Sequence, residues 1–250
     1  MQNFMSSCSS YTHLQQHWGM PQRIACWLLL ALLGSFNNAA LASEQSTGIW
    51  AGAVVAGNFP SSKGDSRWLY AVEAQGRYWD LNSGVEQYLL RPAVGYKLGS
   101  KLQGWLGYGR FRTNSNQGHF DEDRFFQQLN WSAGELLGGS VKMRARLLQR
   151  SISIADDTAL ALRFMIAYAR PITAGSSTQL LLRIEPWYDF LDTDWNGDAG
   201  FTQNRFYAGL GWELNDNLGL ETGYMNQYLW RDSAENLSNN LAVINLRVTF

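Results

Sequence analysis

Apolar and polar residues alternate with a period of two along most of the chain after residue 48, and this pattern restricts the fold more than any other feature. In the segment 242–250, apolar residues at the even positions alternate with Asn245, Arg247 and Thr249. A period of two places successive side chains on opposite faces of a strand. The same pattern recurs in the segments 68–79, 141–150, 160–168, 180–188 and 203–212. The sequence therefore predicts an all-β protein built from an antiparallel sheet with one apolar and one polar face.

The start of the chain has the composition of a secretory signal peptide. Ten apolar residues (24–33) follow Arg23, and the small-residue site Ala40-Leu41-Ala42 comes after them. The apolar run is too short to cross a membrane as a helix, and a charge, an apolar run and an A-x-A site are the parts of a cleaved leader. We predict that residues 1–42 are the signal peptide, with Met20 as a candidate true start, and that 43–250 form one exported domain.

The apolar faces of the predicted strands begin or end in aromatic residues, namely Trp68, Tyr78, Tyr96, Trp131, Tyr168, Tyr188, Trp212 and Tyr224. Aromatic girdles at both edges of an apolar band are typical of transmembrane β-barrels. A closed barrel also leaves no unpaired backbone edge in lipid. We predict a transmembrane, antiparallel, up-and-down β-barrel in the bacterial outer membrane, in contact with membrane lipid and lipopolysaccharide. A soluble β-barrel in the periplasm is the alternative.

Connection lengths predict the orientation of the strands. Long polar connections at 113–122, 151–158, 189–202 and 229–240 alternate with shorter ones at 97–101, 133–139, 171–177 and 213–217. Outer-membrane barrels have long loops outside, short turns in the periplasm and an even number of strands. The alternation delimits eleven segments, the first at 48–57. We therefore predict twelve strands, or alternatively ten.

The last segment ends on Phe250, which resembles the C-terminal aromatic signal that the barrel assembly machinery recognises. This strand should pair with the first strand, because closure removes both sheet edges. Its even-numbered residues should face lipid. Leu246→Arg should then be costly, whereas Leu241→Arg, on the inward side, should cost far less.

The inward face of this barrel should be rich in arginine. The residues expected to line the lumen are Glu73, Arg77, Arg91, Arg144, Arg146, Arg150, Arg163, Arg183, Glu185, Arg205, Glu221 and Arg247. Guanidinium groups paired with carboxylates can fill a barrel as a polar core, and rings of Arg can also select anions in a pore. The sequence leaves open a structural or binding role and a narrow, anion-favouring pore.

Other functions have less support in the residues. The net charge of −1 argues against a nucleic-acid-binding protein. His119 is the one histidine of the mature chain and no G-x-S-x-G motif accompanies it, so no enzyme is predicted, and a lipid-modifying enzyme that uses His119 is the alternative. Residues 192–198 resemble the opening of a calcium loop, and their candidate ligands are Asp192, Asp194, Asn196 and Asp198. Apart from calcium, no cofactor is predicted.

Six strings, in the order in which they occur, resemble an outer-membrane family known as domain of unknown function 2490. They are RPAVGY (91–96), WLGY (105–108), DRFFQQL (123–129), RARLLQR (144–150), QNRFYAG (203–209) and LETGYM (220–225). The resemblance covers 50–250 and implies an outer-membrane β-barrel without an assigned activity. In that family a Glu usually follows the Leu of the basic strand. Leu148 stands at this position here, so the resemblance implies one lumenal ion pair fewer.

Overall fold

The computed structural model describes residues 43–62, 66–81, 84–231 and 234–250, which form one closed β-barrel. The predicted signal peptide, 1–42, lies outside these residues. Within the described ranges, no helix is long and apolar enough to cross a membrane. The strands are β1 (Ser43–Asn58), β2 (Trp68–Asp80), β3 (Val85–Lys97), β4 (Leu102–Ser115), β5 (Gly118–Leu136), β6 (Gly139–Ile152), β7 (Ala159–Pro171), β8 (Thr178–Asp189), β9 (Gly200–Glu213), β10 (Leu218–Leu229) and β11 (Asn236–Thr249). The predicted all-β barrel is confirmed.

The barrel closes through a parallel pair of strands. Ser43 pairs with Asn236 and Ala56 with Thr249, so β1 and β11 run in the same direction. Every other pair of neighbours is antiparallel. When an up-and-down chain has an odd number of strands, its first and last strands point the same way and can meet only in parallel. The barrel therefore has eleven strands, one for each segment that the alternation delimits, where an even number was predicted.

The two ends of the barrel are called the Phe250 rim, where β1 and β11 finish, and the Ser43 rim, where they begin. The connections at the Phe250 rim are 59–67, 98–101, 137–138, 172–177 and 214–217; those at the Ser43 rim are 81–84, 116–117, 153–158, 190–199 and 230–235. The connections occur at the predicted places, but their lengths alternate only in part: 153–158 and 172–177 have six residues each, and 59–67, at the rim of the predicted short turns, has nine. The predicted long loop 113–122 is wrong. Arg112 pairs with Asp121 and Asn114 with His119, so the β4–β5 ladder continues up to a turn at 116–117.

The outward-facing side chains form an apolar band between two groups of aromatic residues. Near the Phe250 rim these are Trp68, Tyr96, Trp131, Tyr168, Trp212 and Phe250; near the Ser43 rim they are Tyr78, Tyr88, Tyr108, Tyr188, Tyr224 and Trp230. At the outward strand positions between these groups the described residues include no charged side chain. The polar exceptions include Gln127 and Gln149, whose amides hydrogen bond to each other at 3.1 and 3.3 Å.

Candidate functional site

The half of the lumen next to the Ser43 rim is filled by hydrogen-bonded polar side chains. Arg77 donates to Gln87 Oε1 at 2.9 Å, and Gln87 in turn donates to Thr113 Oγ1 at 2.9 Å. On the other side of β1, between β11 and β10, Asn239 donates to Gln227 Oε1 at 3.2 Å. All five residues are buried. Since buried polar groups are stable only when they are paired, this network is a packed polar core.

A stack of alternating guanidinium groups and aromatic rings crosses the middle of the lumen, and we call it the septum. It contains Phe111, Arg77, Trp50, Arg205 and Trp187, all of them buried. The Arg77 guanidinium lies 4.2 Å from the Trp50 ring and 5.6 Å from the Phe111 ring. The Arg205 guanidinium lies 4.9 Å from both the Trp50 and the Trp187 rings. Cation–π contacts of this kind are strongest away from water, so the septum joins β4, β2, β1, β9 and β8 across the barrel.

The loop 190–199 covers the lumen at the Ser43 rim. Asn196 Oδ1 accepts a hydrogen bond of 3.0 Å from Arg150, and the Trp195 ring lies 4.9 Å from the same guanidinium. Arg150 also donates to Glu122 at 2.7 Å, and Glu122 is buried beside Arg124. Arg150 therefore ties the loop to the polar core below it.

This arrangement differs from the calcium site predicted for the loop. Asn196 Oδ1 accepts from Arg150, and Asp192 Oδ1 accepts from the Ala199 amide at 2.7 Å. Asp194 and Asp198 do not join Asp192 in a metal-binding group; in the described part of the chain, no three His, Cys, Asp or Glu side chains are placed to hold a metal ion. Asn196 Oδ1 and Asp192 Oδ1 are thus hydrogen-bond acceptors, and the calcium site stays a prediction.

The twelve charged residues expected to line the lumen all have inward positions in the strands. Most of them form ion pairs: Glu73 with Arg91, Glu185 with Arg144, Arg163 and Arg205, Glu221 with Arg183, and Arg247 with Glu213. Arg146 has an amide partner, Gln128 at 2.6 Å, and its guanidinium lies over the Phe126 ring. Leu148 is buried in the lumen against Phe126, Ala161 and Trp187. An apolar cluster therefore stands where the family usually has a Glu and its ion pair.

Sequence reasoning missed several interior residues. Glu122 was assigned to a long loop, although it continues the alternation of Arg124 and Phe126 on β5. Trp50 and Trp187 were not singled out, because a single tryptophan in a strand gives no sign of its neighbours across the lumen. The signal that could have found Glu122 is the period of two itself, extended two residues beyond the expected end of the strand.

The other half of the lumen is a cavity of about 640 Å³ that reaches the Phe250 rim. Eight of its lining side chains are cationic (Arg77, Arg91, Lys142, Arg144, Arg163, Arg183, Arg205 and Arg247) and four are carboxylates (Glu73, Glu185, Glu213 and Glu221). Trp50, Arg77 and Arg205 of the septum form its floor. The excess of positive charge makes the cavity suited to an anion.

Two inward glycines help to create this space. A Cβ atom at Gly209 or Gly223 would collide with the Tyr207 hydroxyl and with backbone carbonyl oxygens of the neighbouring strands. Glycine at these two positions therefore allows the Tyr207 ring to lie flat against the wall formed by β9 and β10. The Tyr207 hydroxyl is buried without a hydrogen-bond partner among the described residues.

His119 lies far from this cavity. It is exposed on β5, one residue from the turn at 116–117, and pairs with Asn114 across the hairpin. The nearby Ser115 hydroxyl donates to the Gly118 carbonyl at 3.2 Å rather than to His119.

Comparison with known proteins relates the barrel to one family. The model of a family described as a protein of unknown function (DUF2490) matches residues 47–238, from β1 into β11. An uncharacterised protein of Methylorubrum extorquens is 33% identical to this chain over 166 residues, which is 63% of this chain and 70% of that protein. The predicted family is confirmed: this eleven-stranded barrel belongs to the DUF2490 family.

Proposed function

We propose that the protein is an outer-membrane β-barrel that binds an anionic solute in its one-ended cavity and does not conduct it. The observation that carries this proposal is the division of the lumen into a filled half and an open half. Porins keep an aqueous channel through the whole barrel. Here the septum, the polar core and the loop 190–199 lie in series between the cavity and the Ser43 rim.

The apolar band supports a membrane location over a soluble barrel. A soluble barrel exposes its outward positions to water, which favours charged side chains there, whereas a charge facing lipid is costly. The exposed outward residues here include Val72, Leu90, Leu106 and Ile244. With aromatic residues at both edges, the band has the composition of a lipid-facing surface.

A charged outer surface at the Ser43 rim supports one orientation in the membrane. Beyond the apolar band, Arg110 pairs with Asp121 and Asp123 at 2.8 and 2.6 Å, and Arg112 pairs with Asp121 at 2.8 Å. The hydrogen bond from Arg112, together with the nearby Arg110, lowers the pKa of Asp121 to about 2. Such a permanently ionised outer surface belongs in water. The longest connection, 190–199, lies at the same rim, and outer-membrane barrels have their longer connections outside, so we orient the Ser43 rim outward and the cavity toward the periplasm.

Electrical recordings test whether the lumen is closed. Purified protein in a planar bilayer should give no steady ion current, because the lumen narrows to buried side chains at the septum. A porin prepared in the same way is the positive control. Steady conductance of the wild-type barrel, whether selective for anions or cations, would show that the lumen is open and would reject the binding role in favour of a pore.

Fractionation tests the location independently. The mature chain should enter the outer-membrane fraction, resist extraction with alkaline carbonate and migrate differently on gels before and after heating. Recovery in the soluble periplasmic fraction would reject the membrane assignment and favour the soluble barrel.

A further inference from the structure

The floor of the cavity has more cationic groups than carboxylates to pair with them. Glu185 is bonded to Arg144 and, at 2.5 Å, to Arg163, and Arg205 lies 3.6 Å away from the same carboxylate. One carboxylate is thus the ion-pair partner of three guanidinium groups. Arg77, the next cation on the floor, has amide partners, Gln75 and Gln87. Since Arg77, Arg163, Arg205 and Glu185 are buried, an added negative charge would be strongly attracted to this floor.

Four residues of the cavity lining also have buried hydrogen-bond donors without an acceptor. Within the described residues, Trp50 Nε1, the Tyr207 hydroxyl, Arg144 Nε and Arg163 Nε are buried without a hydrogen-bond partner, and all four residues line the cavity. Native proteins leave few buried donors unpaired, and those that occur need an explanation. A phosphate or carboxylate group accepts several hydrogen bonds at once, and so it would complement both the charge and the free donors.

One wall of the cavity is apolar. Leu181, Met225 and Val243 line the cavity and pack in one cluster with Trp50 and Tyr207. The cavity volume of about 640 Å³ lies within the range of sites for small organic molecules. An inorganic ion would not contact this wall, whereas the alkyl or aryl body of an organic anion would lie along it.

We propose that the cavity binds an amphiphilic organic oxyanion. Its phosphate or carboxylate group is held near the floor by Arg144 and Arg163, next to the buried donors of Trp50 and Tyr207, and its apolar body lies along Leu181, Met225 and Val243. This inference deepens the proposed function, and it depends on that function only for the compartment from which the ligand enters.

Calorimetric titration of the intact barrel in a non-ionic detergent tests this chemistry. Three probes test the anionic group and the apolar body of the ligand separately: hexyl phosphate, inorganic phosphate and hexanol. Hexyl phosphate should bind at least about tenfold more tightly than inorganic phosphate, because the apolar wall contributes. Hexanol should give no measurable binding. Equal affinities for the two phosphates would overturn the amphiphilic assignment.

Tyr207→Phe tests whether the Tyr207 hydroxyl donates a hydrogen bond to the ligand or only stabilises the fold. The hydroxyl has no partner among the residues that the structure describes, so its removal should leave the unfolding temperature unchanged while weakening hexyl phosphate binding about tenfold. Arg144→Gln should weaken binding by a similar or larger factor. In that variant Glu185 keeps its ion pair with Arg163, so the carboxylate is not left unpaired. Arg110→Gln, on the outer surface of the Ser43 rim, is the control with the same change of charge. If Tyr207→Phe and Arg144→Gln bind hexyl phosphate as tightly as Arg110→Gln, the assigned floor is wrong.

The ligand could come from membrane lipid or from the periplasmic solution, and reconstitution separates the two sources. Native mass spectrometry of barrels from phosphatidylglycerol nanodiscs should show a retained lipid, absent in Arg144→Gln, if the source is lipid. For a soluble source, no lipid is retained and hexyl phosphate binds equally well in phosphatidylglycerol and phosphatidylcholine. Absence of both retained lipid and hexyl phosphate binding overturns the proposal. In that case a non-conducting barrel in the outer-membrane fraction would still support the proposed function.

Discussion

Glu185→Gln should destabilise the barrel by about 3–5 kcal/mol, the cost of removing one partner from a buried ion pair. Glu185 is buried, and its carboxylate is bonded to Arg144 and Arg163 with Arg205 close by. The amide of Gln can still accept hydrogen bonds but carries no charge. The variant would therefore leave three guanidinium groups inside the barrel with no carboxylate to share.

Urea unfolding of the refolded barrel in lipid vesicles measures this loss, and Glu213→Gln is the matched control. Glu213 pairs with Arg247 at the Phe250 rim, where each side chain is about half exposed (48% and 46%). Exposed pairs of this kind contribute less than about 1 kcal/mol. Equal losses in the two variants would mean that the interior is more hydrated than its burial indicates.

Ile244→Arg should cost about 2–4 kcal/mol when the barrel is in a bilayer, as expected for a cation that faces lipid near the midplane. Ile244 is exposed on the outward side of β11, between Thr222 of β10 and Ala51 of β1. In a non-ionic detergent micelle the Arg side chain can extend to the polar surface, so the loss in the free energy of unfolding should be smaller. The measurement is the urea midpoint of the vesicle-inserted protein.

Asn245→Arg is the control, because Asn245 is the next residue on the same strand and lines the polar cavity. Its urea midpoint should fall less than that of Ile244→Arg, because the added guanidinium reaches the polar cavity rather than lipid, although it joins an excess of cations there. The expectation that Leu241→Arg is well tolerated is wrong: Leu241 does face inward, but it is fully buried in the cluster with Trp50 and Tyr207, where an unpaired charge is costly. If Ile244→Arg and Asn245→Arg lower the midpoint equally, the outward face does not contact lipid.

The sequence was sufficient to predict local features, because these depend on neighbours along one strand. The period of two identified the segments, and it put Arg163 and Arg205 on the polar face and Ile244 on the apolar face. The septum could not be predicted in this way. Phe111 and Arg77 belong to β4 and β2, and their contact depends on the strand register around the barrel. A sequence pattern also cannot show that Leu241 faces a packed cluster rather than an open polar cavity.

The predicted strand number is wrong for a different reason. The even-number rule describes barrels that close through an antiparallel pair, and nothing in the segment 48–57 reveals the direction of its second neighbour. The prediction of a long loop at 113–122 is wrong because polar and charged residues also occur in a strand that extends beyond the apolar band. In the structure, Arg112 and Asp121 face each other across a ladder that extends past the apolar band.

The parallel closure has a consequence for the order of assembly. Each antiparallel neighbour is joined by a connection of ten residues or fewer, whereas β1 and β11 come from opposite ends of the domain and have no turn between them. Bringing distant segments together has a larger entropic cost and takes longer than closing a hairpin, and parallel pairing is slightly weaker per residue. The β1–β11 seam should therefore form last and open first. Amide hydrogens of β1 and β11 should exchange faster than those of the β5–β6 hairpin; uniform exchange around the barrel would show that the seam is as stable as the hairpins.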